Sequence, residues 1–230
     1  MVAISPLLSS IAQDNSSLQE VWKTVDADSC PYHYNFHMHT TASDGRLTPI
    51  ELIEQAFKIG LKGLAITDHH SVNGYQEVQE YLNQSRNRNK EGRPALWTGV
   101  EITSKIIGVD VHILGYAFDP QNQALAPYLE GHCPRGEAAN AEKVIDSIHQ
   151  AGGLAVLAHP YRYRRSPQEL IPLAAKYDID GVEAYYAYGN PYPWQPTPRK
   201  TKEIVTLAEE YDLLTTCGTD THGRCLLQRV

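Results

Sequence analysis

Residues 34–45 read Tyr-Asn-Phe-His-Met-His-Thr-Thr-Ala-Ser-Asp-Gly. The stretch opens as a short strand and closes on polar residues. In an extended chain, side chains two positions apart point the same way, so His37 and His39 can reach one ion. Asp44 follows in the turn Ser43-Asp44-Gly45. The same plan recurs down the chain: an apolar strand ends in an imidazole or a carboxylate. The strand candidates are Tyr34–Met38, Gly63–Thr67, Leu96–Ile102, Val109–Tyr116, Leu154–Ala158, Gly181–Tyr186 and Leu214–Gly218. His69 follows the second and Glu101 ends the third. His112 lies in the fourth, His159 ends the fifth, and Asp220 and His222 follow the last.

Helix-period segments separate these runs. One opens at Thr48, with Pro49 at its first position and Glu51 completing a capping box, and stops at Gly60. Others are expected over Tyr75–Gln84, Glu137–Ala151, from Ser166-Pro167, and over Arg199–Tyr211. Strands alternating with helices predict an α/β fold with a parallel sheet. A closed barrel and an open doubly wound sheet both fit the alternation. A barrel gathers the strand ends on one rim, whereas an open sheet spreads them along a line. Nine candidate ligands at strand ends therefore favour a TIM-like barrel with a multinuclear metal centre. Burying so many ionisable groups without compensation is expensive. Imidazole and carboxylate donors without cysteine suit zinc, manganese or iron in an open site rather than a closed structural zinc site.

The chain has 230 residues, 42% hydrophobic and 20% charged, with a net charge of −7. This is the size of one domain or two small ones. Residues 1–30 are expected to form an N-terminal arm or short helix, with Leu18, Val21, Trp22 and Val25 on its apolar side, and residues 31–230 the barrel. The acidic balance argues against long nucleic acid as a partner. No apolar run approaches the ~18–20 residues of a membrane span, and the N-terminus lacks the basic region of a signal peptide. The four cysteines form no CxxC pair. Free thiols, a cytoplasmic location and no membrane partner are expected. Tyrosine reaches 14 against 3 phenylalanines, so many rings should keep one wet end.

The strings HMHTTASDGRLTP, GLAITDHHSVNGY, GVEIT, VHILGYAFD, GGLAVLAHPYRY and CGTDTHG, spread over about residues 34–223, resemble the PHP (polymerase and histidinol phosphatase) family, and its small nucleotide-type phosphoesterase branch in particular. The resemblance implies the distorted (β/α)7 barrel, two or three divalent ions and phosphoester hydrolysis. The implied metal ligands are His37, His39, Asp44, His69, Glu101, His112, His159, Asp220 and His222, with Glu101 as the bridging carboxylate. His37, His39 and Asp220 are expected around one ion, Asp44 and His69 around a second, and His112, His159 and His222 near a third. Glu101, Asp44 and His69 are the expected catalytic residues. The expected reaction is hydrolysis of a phosphate monoester or a short nucleic acid end by a metal-activated hydroxide. Position 70 is His70, where that branch has an acidic residue. The stretch between His112 and His159 is short, where relatives carry a helical insertion.

Around the ligands, Asp68 is expected to orient an imidazole, Glu183 to satisfy a group behind the site, and His70 to line the pocket. Arg162, Arg164 and Arg135 are the expected substrate-binding cations, because a guanidinium fork matches phosphate oxygens. The substrate is expected to be a small phosphorylated molecule such as a nucleotide or an oligonucleotide end. Alternatives are an amidohydrolase-like hydrolase, which takes a bridging lysine where this chain has Glu101, and a non-catalytic metal-binding module.

Overall fold

The computed structural model describes residues 15–84 and 91–230; the first half of the expected N-terminal arm lies outside them. Eight strands form two sheets among the described residues. The first sheet is β1 (Tyr34–Asn35), β2 (Gly63–Ala65) and β3 (Ala95–Trp97), all parallel. The second is β4 (Gly99–Ile106), β5 (Val109–Tyr116), β6 (Leu154–Leu157), β7 (Gly181–Tyr185) and β8 (Leu214–Cys217), in that order. Single bridges, Met38 to Thr221 and His69 to Glu101, join the two arcs at both seams. The barrel is thus distorted and its hydrogen-bond ladder is not closed.

Two features differ from the expected parallel sheet. The third strand breaks at Thr98, where the chain passes from the first sheet to the second. The β4–β5 and β5–β6 pairs are antiparallel. The first of these follows from the turn: only Ile107 and Gly108 separate β4 from β5, with φ of 43° and 78°. Two residues with positive φ close a hairpin whose twist matches the strands, and a parallel crossover needs a dozen or more.

Among the described residues six α-helices accompany the strands: α1 (Asn15–Trp22), α2 (Pro49–Ile59), α3 (Asn73–Asn83), α4 (Ala141–Gln150), α5 (Pro167–Lys176) and α6 (Pro198–Glu210). The capping box at Thr48 and Glu51 forms, and Gly60 ends α2 at φ 81°. The segment expected to be one helix from Glu137 splits instead. Gly136–Ala139 is a 3₁₀ turn, and Asn140 caps α4 with its side chain on the Glu142 amide.

Strand alternation divides the interior. Val100, Ile102, Val111, Ile113, Ala155, Leu157, Val182 and Ala184 pack in one cluster with α4 and α5. Leu114, Tyr116, Leu154, Val156 and Cys217 pack in another with Ala65, Trp97 and the α1 residues Leu18 and Trp22. That second cluster draws on both sheets and on α1, whose Trp22 sits edge-on to Tyr116 at 5.1 Å. With Val100, Ile102, Val182 and Ala184 turned toward the helices, period 2 turns Glu101 and Glu183 the other way.

His149, near the end of α4, makes a 2.8 Å contact from Nε2 to Asp180, whose carboxylate also accepts the Ala155 amide at 2.7 Å. The hydrogen bond to Asp180 raises the His149 pKa. A raised folded pKa stabilises fully below the free value of ~6.5 and is lost as pH rises through the folded value. The stability gap between wild type and His149→Gln is therefore expected to be widest near pH 6 and to shrink by about 0.5 kcal/mol toward pH 9, the size of a partly exposed pair. Urea unfolding at the two pH values measures it.

Candidate metal centre

Glu101 is the hub of the site. Its Oε2 lies 3.0 Å from His37 Nε2, 3.0 Å from His39 Nε2 and 3.6 Å from His69 Nε2. Its Oε1 lies 2.6 Å from His112 Nδ1 and 3.2 Å from His159 Nε2. One carboxylate thus faces five imidazoles, with its two oxygens on different groups. The antiparallel hairpin makes this reach possible: Glu101 pairs with Leu114 and His112 with Thr103, so Glu101 and His112 share a face as diagonal neighbours. Burial works against the Glu101 charge, but His37 and His112 override it and hold the carboxyl well below its usual range.

Three groupings could hold a cation: His37, His39, Glu101 and Asp220; His39, Asp44, His69 and His222; and His69, Glu101 and His112. The first includes the expected His37, His39 and Asp220, and the second the expected Asp44 and His69. His222 departs from the expected arrangement. Its Nε2 lies 3.3 Å from Asp44 Oδ2 and its ring stacks on His39 at 4.2 Å, so it belongs with Asp44 rather than with His112 and His159. The cause is backbone: β8 ends beside the end of β1, and the Met38–Thr221 bridge turns His222 to that side. His159 reaches the Glu101 carboxylate and packs its ring against those of His37 and His112 at 5.5 Å and 5.4 Å, with φ at 24° and its amide donating to Glu183 at 2.9 Å.

The supporting residues separate by what they hold. Glu183 Oε1 lies 3.0 Å from His37 Nδ1, behind the cluster. Asp68 orients no imidazole. It accepts the Thr40 amide, the Thr40 hydroxyl at 2.7 Å and the Ser43 hydroxyl at 2.8 Å, fixing the loop that carries Asp44. His70 has φ 52°, accepts the Thr103 amide at 3.4 Å and lies 3.2 Å from its hydroxyl, and burial pushes it down to about 4. Tyr163 accepts the His112 amide at 2.8 Å.

The three arginines part company. Arg162 Nη1 lies 2.6 Å from Asp220 Oδ2, at the edge of the cluster. Arg164 lines an adjoining depression with Asp110 and Arg162. Arg135 lines a neighbouring cavity with Pro127 and Glu130, which shares His132 and Cys133 with the one on the cluster but includes none of the nine ligand candidates. Sequence reasoning missed Arg229, whose Nε lies 2.8 Å from Asp220 Oδ2, and the role of Tyr186, whose hydroxyl donates to the same oxygen at 2.7 Å. No pattern in the sequence marks either one.

The donors fit divalent cations. Both His39 ring nitrogens, His112 Nδ1 and His159 Nδ1 are buried and make no hydrogen bond among the described residues. His39 Nε2 and His112 Nδ1 nevertheless lie 3.0 Å and 2.6 Å from carboxylate oxygens. A buried nitrogen with no such neighbour, as at His159 Nδ1, costs about 1–3 kcal/mol. Nitrogen lone pairs set between carboxylates, with no thiolate among them, suit a borderline cation. A cavity of ≈ 490 Å³ opens on the cluster, lined by Ser43, Asp44, His69, His70, Thr103 and His112 among others.

A rim of imidazoles and carboxylates at the strand ends of a distorted α/β barrel defines a metal-dependent hydrolase. The chain belongs to the PHP domain family, whose model matches residues 35–218. It is similar to the 5′-3′ exoribonuclease Rnm of Salmonella typhimurium, at 27% identity over 84% of this chain and 86% of that one. It is also similar to a 3′,5′-nucleoside bisphosphate phosphatase of Chromobacterium violaceum, at 33% identity over 51% of this chain and 39% of that one. Among solved structures, a candidate metal-dependent phosphoesterase from Bifidobacterium adolescentis shares 26% identity with a TM-score of 0.66, covering 84% of this chain and 89% of that one. The Rnm alignment runs over 261 positions, more than the 230 residues of this whole chain. The relative therefore carries segments that are absent here.

No helix among the described residues is long and apolar enough to cross a membrane. All four cysteines are free thiols, Cys30 and Cys217 buried and Cys133 and Cys225 exposed.

Proposed function

We propose that the chain hydrolyses a phosphate ester of a nucleotide or of a short nucleic acid end. Glu101, Asp44 and His69 stand at the reacting centre, and Arg162 receives a substrate phosphate. The observation that carries this reading is Glu101 with its two oxygens turned to different imidazole groups, beside a cavity and a guanidinium. The nine ligand candidates would hold two or three divalent ions. Such ions supply a water of lowered pKa and neutralise charge on phosphoryl oxygens.

The protein's own residues do the rest. His37 and His39 are buried, whereas the His69 side chain is 24% and the Asp44 side chain 56% exposed. The reacting phosphate therefore approaches from the Asp44 and His69 side. Asp68 keeps the Asp44 loop in place through Thr40 and Ser43. Arg162 uses one nitrogen on Asp220 and Tyr186, which leaves the rest of its fork for phosphate oxygens. The named activities of the exoribonuclease and bisphosphatase relatives support a nucleotide or an RNA end, and the net charge of −7 disfavours a long duplex.

The test is phosphate or nucleotide release after chelation and re-addition of Mn²⁺, Zn²⁺ or Fe²⁺. The panel holds nucleoside monophosphates, 3′,5′-bisphosphates, histidinol phosphate and short 5′-phosphorylated oligonucleotides. Metal-restored turnover of a nucleotide substrate is expected. A folded, metal-loaded protein inert on the whole panel would defeat the reading.

A further inference from the structure

The last eight residues double back across the site. Leu226 is fully buried against the α2 face, its amide donating to Gln55 Oε1 at 3.1 Å while Gln55 Nε2 donates to the Arg224 carbonyl at 2.9 Å. The Thr221 hydroxyl donates to the Gln228 carbonyl at 2.8 Å. Arg229 is the point where this strap grips the ligand stretch. Its carbonyl accepts the His222 amide at 2.6 Å and the Gly223 amide at 3.2 Å. Its own amide donates to Asn190 Oδ1 at 3.1 Å, and its Nε donates to Asp220 Oδ2 at 2.8 Å. One residue thus braces two ligand candidates, Asp220 through its side chain and His222 through its backbone.

Asp220 needs such a brace. It is a non-glycine residue at φ 53°, a conformation that costs about 1–3 kcal/mol and persists only where the surroundings impose it. Its two oxygens have different partners. Oδ1 faces His37, His39 and His222 at 3.3–3.5 Å. Oδ2 is occupied by Arg162, Tyr186 and Arg229. Glu101 offers both oxygens to imidazoles; Asp220 has only one to give.

We infer that Arg229 is a positioning residue of the metal centre: it holds Asp220 so that Oδ1 alone faces the histidines, and it fixes the backbone that aims His222. Arg162 does not complete this task by itself, because it reaches Asp220 through a single nitrogen and the rest of its fork faces substrate. Arg229 is tied down through its own amide and carbonyl, so its hold on Asp220 does not depend on substrate. Lysine at 229 keeps the charge but not the Nε geometry of the guanidinium.

The test compares Arg229→Gln, Arg229→Lys and, as a control on the same strap, Arg224→Gln in the full chain. Mn²⁺ or Zn²⁺ titration by calorimetry and metal content after dialysis are read beside thermal unfolding of the chelated protein and kcat and KM. Arg229→Gln is expected to bind its metal 10–100-fold more weakly, the usual effect of removing a group that orients a ligand. Its kcat should fall while KM stays within about twofold. Arg229→Lys should be intermediate and Arg224→Gln unchanged. Wild-type metal affinity in Arg229→Gln would overturn the inference. A rise in KM alone would make Arg229 a substrate contact and overturn it too. Unfolding of chelated Arg229→Gln at a temperature lowered in step with its lost metal affinity, with no rescue of either in Arg229→Lys, would reduce the strap to a structural element and overturn the inference. The metal titration needs no substrate, so it stands even if the proposed phosphoesterase reading fails.

Discussion

Glu101→Gln is expected to lower turnover of the metal-loaded protein by ~10³-fold or more, about 4 kcal/mol of transition-state stabilisation. The side chains have the same shape, so packing survives; Glu101 is 1% exposed and sits on strand β4. The charge and half the acceptor capacity are lost. Glu101 turns one oxygen to His37, His39 and His69 and the other to His112 and His159. An amide replaces one of those oxygens with a donor aimed at nitrogens that need acceptors or cations. Metal content is expected to fall along with rate, because each of two groupings that could hold a cation includes this carboxylate. The checks are kcat, bound metal by mass spectrometry and circular dichroism of the chelated variant. A variant with a native spectrum and more than a tenth of wild-type turnover would remove Glu101 from the reacting centre.

Strand-end polar residues make most of this site legible in the sequence. His37, His39, His69, Glu101 and Asp220 each follow or end an apolar run, and backbone periodicity turns such residues to a common rim. What escaped depends on how distant segments meet. The β4–β5 hairpin was hidden by the expectation of parallel strands, although two residues between two strand-like runs admit no crossover. Sequence position does not give His222 its neighbours, because its direction is set by the bend at Asp220 and the bridge to Met38. Asp68 looked like an imidazole partner from its place beside His69, yet its side chain turns to Thr40 and Ser43. Arg229 was illegible for a plainer reason. Its partner Asp220 is nine residues away along the chain, and nothing local says that the strap folds back. Several tyrosines show why that residue type is abundant: Tyr116 and Tyr186 are buried and Tyr163 half-buried, and their hydroxyls are spent on Phe36, Asp220 and His112.

Metal loading is expected to release about two protons near pH 7 and to tighten as pH rises. Without metal cations, protonated imidazoles stand in for them, held charged by the carboxylates of Glu101 and Asp220. Burial opposes this, but Glu101 and Asp220 together raise His39 to about 9, and Glu101 and Glu183 raise His37 as well. His69 behaves oppositely, pushed down to about 4 chiefly by burial, so it has no proton to give. A ligating imidazole must be neutral. Binding at pH 7 therefore expels protons from His37 and His39, and apparent affinity should climb by about tenfold per pH unit for each proton released, levelling off near the His39 value of about 9. The same shifts act on folding with the opposite sign. A raised folded pKa stabilises the chelated protein fully below ~6.5 and is lost as pH rises through the folded value. The chelated form should thus weaken between pH 7 and 9 while the loaded form does not, so the gap in Tm opened by chelation is wider at pH 9 than at pH 6. Calorimetric titration in buffers of different ionisation enthalpy counts the protons, and thermal scans with and without chelator measure the gap. Release of no protons at pH 7 would mean that His37 and His39 are already neutral and that the carboxylates are not acting as the cations' counterweight.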